Sequence, residues 1–277
     1  MPSVREIQKA YDQLCVWPEQ DDKLSAAWGT SAAQWYCGLL PRIHEFVPTG
    51  TILEIGPGSG RWTQFLRRLC TKLIVVDLSF KSAEACKKRF PLDRHIVYHT
   101  NDGTSLEMIP DRSVDFVFSF DALVYAEADV IERYLEEISR KLTEKGAGFI
   151  HHSNLGDLPM LLWFLKWLDR LRVPRWNPVE RQEQWRAHTM TADRFRSFSR
   201  HAGLACIRQE IVNARGAKFC IDCLSTFVMD RSKSARECVP VRNAKYTLEA
   251  KRARRLAKVY MSNTSDEPAP DVDGKAH

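Results

Sequence analysis

Short apolar runs of strand length recur through the first half of the chain, and most of them stop at a glycine or an acidic residue. Thr51-Ile-Leu-Glu-Ile55, Leu73-Ile-Val-Val-Asp77, His95-Ile-Val-Tyr-His-Thr100 and Ser113-Val-Asp-Phe-Val-Phe-Ser119 read as four strands. The period then changes. Ile131 to Leu142 carries its apolar residues at helical spacing, an amphipathic helix that Gly146 is expected to end, and the chain re-enters a strand through Phe149-Ile-His-His152. Thr191 to Gly203 reads as a capped helix stopped by a glycine, and Ala205 to Val212 and Lys218 to Met229 as two neighbouring strands. Strands alternating with helices predict an α/β protein.

The first strand runs directly into Gly56-Pro57-Gly58-Ser59-Gly60-Arg61-Trp62. Without Cβ atoms the loop can turn sharply and approach a ligand closely, and a helix opening near Arg61 would aim its N–H groups at that ligand. A dinucleotide fingerprint needs G-x-G-x-x-G. Here the spacing is G-x-G-x-G, preceded by Glu54 on the strand. About twenty residues on, Asp77 ends the second run, where a Rossmann-like unit places the acid that binds both ribose hydroxyls. The third run ends in Asn101-Asp102-Gly103, and the fourth leaves through Phe120-Asp121-Ala-Leu-Val-Tyr125.

This order of strand, loop and acid resembles the class I S-adenosylmethionine (SAM) methyltransferases over residues 50–230. The link Leu142-Thr-Glu-Lys-Gly-Ala-Gly-Phe-Ile150 is similar to that family's passage into its fifth strand. The resemblance implies a Rossmann-like seven-stranded fold and a site for SAM and its product S-adenosylhomocysteine. It places Glu54, Gly56, Pro57, Gly58, Gly60, Trp62, Asp77, Leu78, Asp102, Gly103 and Phe120 around the cofactor, with Leu78 and Phe80 on the adenine face and Asp102 at the adenine amino group. A nicotinamide dehydrogenase, the main rival, accounts for Asp77 but for neither the loop spacing nor Asp102.

At 277 residues the chain divides most simply into a helical N-terminal cap (1–48), a catalytic domain (49–230) and a tail (231–277). The net charge of +6 belongs to the tail. Residues 1–230 hold thirty basic against twenty-nine acidic side chains, residues 231–258 ten against two, and residues 262–277 one against four. The tail therefore reads as a solvated, partly disordered appendage that catalysis does not need, leaving open a peripheral contact with an anionic surface. The near-neutral body offers no basic stripe for nucleic acid. No membrane span or export signal is read, and the scattered cysteines suit a reduced, cytoplasmic protein. Cys220-Ile-Asp-Cys223 lacks a second pair, so no metal site is expected. A homo-oligomer is left open.

Methyl transfer is an in-line displacement, and a hydroxyl acceptor also needs a base. His151 and His152 end the fifth strand on the edge where open α/β sheets bind ligands, and successive side chains of a strand point to opposite faces, so one of the two at most serves. Asp121, at the exit of the fourth strand, is the other polar group on that edge. Residues 154–190, rich in Trp and Arg, interrupt the minimal fold and read as a lid over an acceptor pocket, with Tyr125, Trp163, Arg175, Trp176 and Trp185 as acceptor contacts. Trp17 and Trp28 of the cap are secondary candidates. Phe149 to Gly156, Met190-Thr-Ala-Asp193 and Ile221 to Phe227 resemble bacterial methyltransferases associated with sugars and surface polysaccharides. An O-methyltransferase acting on a small-molecule or saccharide acceptor is therefore expected. The alternatives are N- or C-transfer to a small metabolite, or a non-catalytic SAM-fold subunit.

Overall fold

The structure is a computed structural model and describes residues 21–160, 163, 186–213, 219–230 and 238–261. Its strands are β1 (Thr49–Ile55), β2 (Cys70–Asp77), β3 (Ile96–Thr100), β4 (Val114–Ser119), β5 (Leu142–Ser153), β6 (Leu204–Val212), β7 (Asp222–Met229) and β8 (Val241–Asn243). They form one sheet in the order β3-β2-β1-β4-β5-β7-β6-β8. The first five are mutually parallel, β7 is antiparallel to both β5 and β6, and β8 runs parallel to β6. The order reverses between β1 and β4, which opens the ligand crevice of such sheets at their carboxyl ends.

The helices are α1 (Asp21–Leu24), α2 (Ser31–Gln34), α3 (Leu40–Ile43), α4 (Thr63–Leu66), α5 (Phe80–Arg89), α6 (Ala128–Lys141), α7 (Ala192–His201) and α8 (Tyr246–Met261). Strand alternation sorts the core into two layers. Ile52, Leu73, Val75, Phe116, Phe118 and Phe149 face the cap segment and α8, whereas Leu53, Ile74, Val76, Val117 and Ile150 face the stripe Ile131, Leu135 and Ile138 of α6 and Phe195 of α7. Side-chain caps set three starts: the Thr30 hydroxyl accepts from the Ala33 N–H, that of Ser79 from the Ser82 N–H, and that of Thr191 from the Arg194 N–H.

Four expectations are corrected. The sheet has eight strands rather than seven, because Val241–Asn243 adds to the open edge of β6. Residues 238–261 are not an appendage. Tyr246, Ala250 and Ala253 are buried in the core with Trp28 and Trp35, and Tyr246 meets Trp28 edge-on at 5.4 Å. Arg42 holds this tail: its guanidinium makes a two-pronged pair with Glu210 at 2.6 and 2.7 Å and lies 5.2 Å from the Tyr246 ring centroid. Finally, the helix expected to open near Arg61 is one turn, Thr63–Leu66, and the amphipathic helix ends at Lys141, where β5 begins at once.

Candidate functional site

β1 delivers the chain into Gly56-Pro57-Gly58-Ser59-Gly60, and the Gly60 N–H closes a turn on the Pro57 carbonyl at 3.0 Å. Gly56 has φ +73°, and a Cβ there would lie 2.3 Å from the Ala122 Cβ, so the loop presses against the exit of β4. Gly58 has φ +57°, but among the described residues a Cβ there would meet nothing within 4 Å, so none of them covers the loop tip. The Gly58 N–H donates to Asp77 Oδ2 at 3.2 Å, and the Ser79 N–H donates to Asp77 Oδ1 at 2.7 Å. An ionised carboxylate has about four acceptor sites. Asp77 is thus fixed beside the loop, where a ribose diol would reach it, and Asp77→Ala is expected to weaken S-adenosylhomocysteine at least tenfold by calorimetry, the loss of two hydrogen bonds costing about 1.5–3 kcal/mol.

Behind the loop, Glu54 is buried. Its Oε2 accepts from the Thr63 hydroxyl at 2.6 Å, and its Oε1 has no hydrogen-bond partner among the described residues. Burial, with the charge of Asp77, pushes this carboxyl up to about 8, against the lowering effects of the Thr63 hydrogen bond, Arg61 and Arg89. The unfolded chain ionises it near 4.5, so its contribution to stability is fully present below that pH and is lost as pH rises through 8. Denaturant unfolding should find Glu54→Gln more stable than the native chain at pH 9 by about 4–5 kcal/mol, with the gap closing towards pH 4. An equal gap at both pH values would refute the buried proton.

The adenine-side residues are less uniform. Asp102 is exposed, and its Oδ1 accepts from the Thr104 and Ser105 N–H groups at 2.9 and 2.8 Å, which lowers its pKa. That oxygen organises its own loop, with Gly103 at φ +94°. Leu78 is half-buried, Phe80 is 64% exposed, and Trp62 and Phe120 are buried together edge-to-face at 5.6 Å. Trp28 serves as core, while Trp17 lies outside the described residues.

The two histidines separate as strand parity requires. His152 points into the sheet's other layer: its ring stacks on Phe195 at 4.4 Å, Nε2 pairs with the Ser225 hydroxyl and Nδ1 with the Ser153 carbonyl, both at 2.8 Å. Burial pushes its pKa down to about 4. His152 is therefore removed from the catalytic candidates, because both nitrogens are committed inside the core. His151 instead faces Phe120, with ring centroids 4.5 Å apart.

Around His151 the fold assembles a buried row of charges. Arg61 Nη2 lies 2.6 Å from Asp121 Oδ2, Asp121 Oδ1 lies 3.3 Å from His151 Nδ1, and His151 Nε2 lies 3.3 Å from Asp222 Oδ2. Arg186 closes the row with a two-pronged pair to Asp222 at 2.5 and 2.8 Å. Burial alone would lower the pKa of His151, but Asp121 and Asp222 outweigh it and hold the imidazole above its ordinary value. Asp121 adopts φ +62°, a conformation that non-glycine residues other than Asn and Asp rarely take. Sequence reasoning placed His151 and Asp121 here and missed Arg61, Asp222 and Arg186. Tyr125 ends a 3-10 turn at this edge and is half-buried. Trp163 is 66% exposed, and Arg175, Trp176 and Trp185 lie outside the described residues.

A sheet with this order, a glycine loop on β1, an acid ending β2 and a polar group at the exits of β4 and β5 define a class I SAM methyltransferase architecture. A family model described as a methyltransferase domain matches residues 53–150, which hold the loop, Asp77, Asp102 and Asp121. Residues 53–150 therefore hold a methyltransferase domain, on a fold shared with SAM-dependent methyltransferases. No curated protein matches it. Among solved structures it is similar to a SAM-dependent methyltransferase from Methanosarcina mazei, at 15% identity over 69% of this chain and 97% of that one, with a TM-score of 0.53. It is also similar to a TehB-like SAM-dependent methyltransferase from Corynebacterium glutamicum, at 16% identity over 80% and 98%, with a TM-score of 0.51. Phosphoethanolamine N-methyltransferase 1 of Haemonchus contortus, solved with S-adenosylhomocysteine, is 19% identical over 55% of this chain, with a TM-score of 0.45, and the chain spans 31% of it.

Proposed function

We propose that the chain transfers the SAM methyl group to a hydroxyl of a small-molecule or saccharide acceptor, and that Asp121 and His151 handle the proton. The observation that carries this reading is their pairing at 3.3 Å on the edge where Gly56 packs against Ala122, next to the cofactor loop. Among the described residues, the open face at Gly58, the unpartnered Oε1 of Glu54 and the Asp77 carboxylate held beside the loop suit the close approach, the amino group and the ribose of SAM respectively. When bound, SAM supplies an electrophilic methyl on sulfonium sulfur. The protein's part is alignment, exclusion of water and proton acceptance.

Asp121 is the more open member of the pair, its side chain 12% exposed against 3% for His151. The acceptor hydroxyl donates to Asp121, which Arg61 pairs at 2.6 Å, and the proton is shared with His151 behind it. Tyr125, Trp163, Arg175, Trp176 and Trp185 remain the proposed acceptor contacts, and the resemblance to sugar-associated enzymes supports a saccharide. Nucleic acid is not proposed as a partner.

One observation favours a second reading. Both nitrogens of His151 already face carboxylates, and an amine acceptor would need only the negative charge of Asp121 to orient it. Methyl-labelled SAM offered to sugars, sugar nucleotides, phenols and amines should yield an O-methyl product, identified by NMR. An exclusively N-methyl product would replace the hydroxyl reading with the amine one.

A further inference from the structure

Arg186 and Asp222 form a buried ion pair far apart in sequence, and Arg186 belongs to the segment that returns from the 154–190 insertion. Asp222 opens β7 opposite Ser153 of β5, and neither side chain of the pair is more than 1% exposed. The return segment is fastened to the same edge. The Ala187 N–H donates to the Val124 carbonyl at 3.0 Å, the Ser153 hydroxyl to the Ala187 carbonyl at 2.7 Å, and the Ala192 N–H to Asn154 Oδ1 at 2.7 Å. A buried pair used only for packing could be replaced by apolar side chains at little cost. What distinguishes this one is that Asp222 Oδ2 is shared between Arg186 Nη2 and the Nε2 edge of His151.

We propose that Asp222, clamped by Arg186, is a positioning residue that fixes the His151 ring and ties its orientation to the seating of the insertion's return segment. The inference rests on the proton-handling role given above to His151 and Asp121. With Nε2 facing Asp222, Nδ1 is left towards Asp121, whose own N–H donates to it at 3.3 Å, on the side where the acceptor binds. Arg186 neutralises the second carboxylate, so that two unpaired negative charges do not flank one imidazole. The charged and titratable groups around His151 are Asp121 with Arg61 from the β4 side, Asp222 with Arg186 from β7 and the return segment, His152 on its own strand, and Tyr246 of α8, which lies close enough to both carboxylates to feel their charge.

NMR of imidazole-labelled full-length chain tests this without an acceptor, the His151 signal being assigned by its loss in His151→Gln. In the native chain the ring should titrate above the ordinary imidazole value and hold a single neutral tautomer. In Asp222→Asn the midpoint should fall by about one pH unit or more and the tautomer become mixed, with S-adenosylhomocysteine affinity unchanged within about threefold. Arg186→Lys, which keeps the charge but loses the fork, should fall between the two. If Asp222→Asn does not fold, the double variant Asp222→Asn/Arg186→Met removes both charges and gives the same readout. A midpoint and tautomer unchanged in a folded variant overturn the proposal. A response as expected, with turnover nevertheless indifferent to Asp121 and His151, leaves the positioning intact and refutes only the proton-handling reading.

Discussion

Asp121→Asn should lower methyl turnover by roughly two to four orders of magnitude while leaving S-adenosylhomocysteine affinity within a few-fold, because the change removes the proton acceptor but not the cofactor cradle. His151→Gln should fall in the same range, and the double variant should cost little more than either alone, since the two side chains act on one proton. The pH profile carries an independent sign. The basic form of the pair is the active one, so turnover should rise with pH, and its ascending limb should lie above the ordinary imidazole range because Asp121 and Asp222 hold the His151 proton more tightly. His152→Gln should leave that limb in place. Turnover that survives both Asp121→Asn and His151→Gln in folded protein would transfer the account to an amine acceptor, for which positioning alone suffices.

Truncation after Asp230 should lower the melting temperature by roughly 5–15 °C, a loss of about 3 kcal/mol or more. The deletion strips Tyr246, Ala250 and Ala253 from a core they share with Trp28 and Trp35, uncovers the edge of β6, and leaves Arg42 facing Glu210 without the cover of the Tyr246 ring. Tyr246→Ala should reproduce much of the loss, as large-to-small changes of buried aromatic residues do. The loss should extend to cofactor binding, because Trp35, in the same core, stacks on Trp62 next to the glycine loop at 6.3 Å. Thermal unfolding of the two chains side by side checks this. An unchanged melting temperature would restore the tail to a dispensable appendage.

The parts legible in the sequence were those in which a local pattern has one physical solution. A strand, a G-x-G-x-G turn and an acid twenty residues later had to converge on one sheet edge, and Gly58 and Asp77 do so through a direct hydrogen bond. Strand parity required His151 and His152 to diverge, but which faced the crevice depended on the packing of Phe195 against His152, which is not a local signal. Asp222 and Arg186 carried no signal either. Asp222 sat inside an apolar run next to two cysteines, and Arg186 in an insertion rich in arginine, so only the folded sheet makes them partners of His151. The tail misled for a specific reason. Its apolar stripe is mostly alanine, which reads as weak amphipathicity, yet small side chains let α8 lie close to the cap, where a Cβ on Gly29 would stand 3.2 Å from the Arg254 Cγ. β8 is only three residues long, two of them charged or amide, and it exists because β6 offers an unpaired edge.

The most direct test of the central claim is calorimetry of the full chain with S-adenosylhomocysteine, SAM and NAD, repeated with Asp77→Ala. S-adenosylhomocysteine and SAM should bind, NAD should not compete with them, and the Asp77→Ala chain should keep its fold and lose at least tenfold in affinity. Binding of NAD in preference to SAM, or S-adenosylhomocysteine affinity indifferent to Asp77, would contradict the reading of the Gly56–Gly60 loop as a SAM cradle.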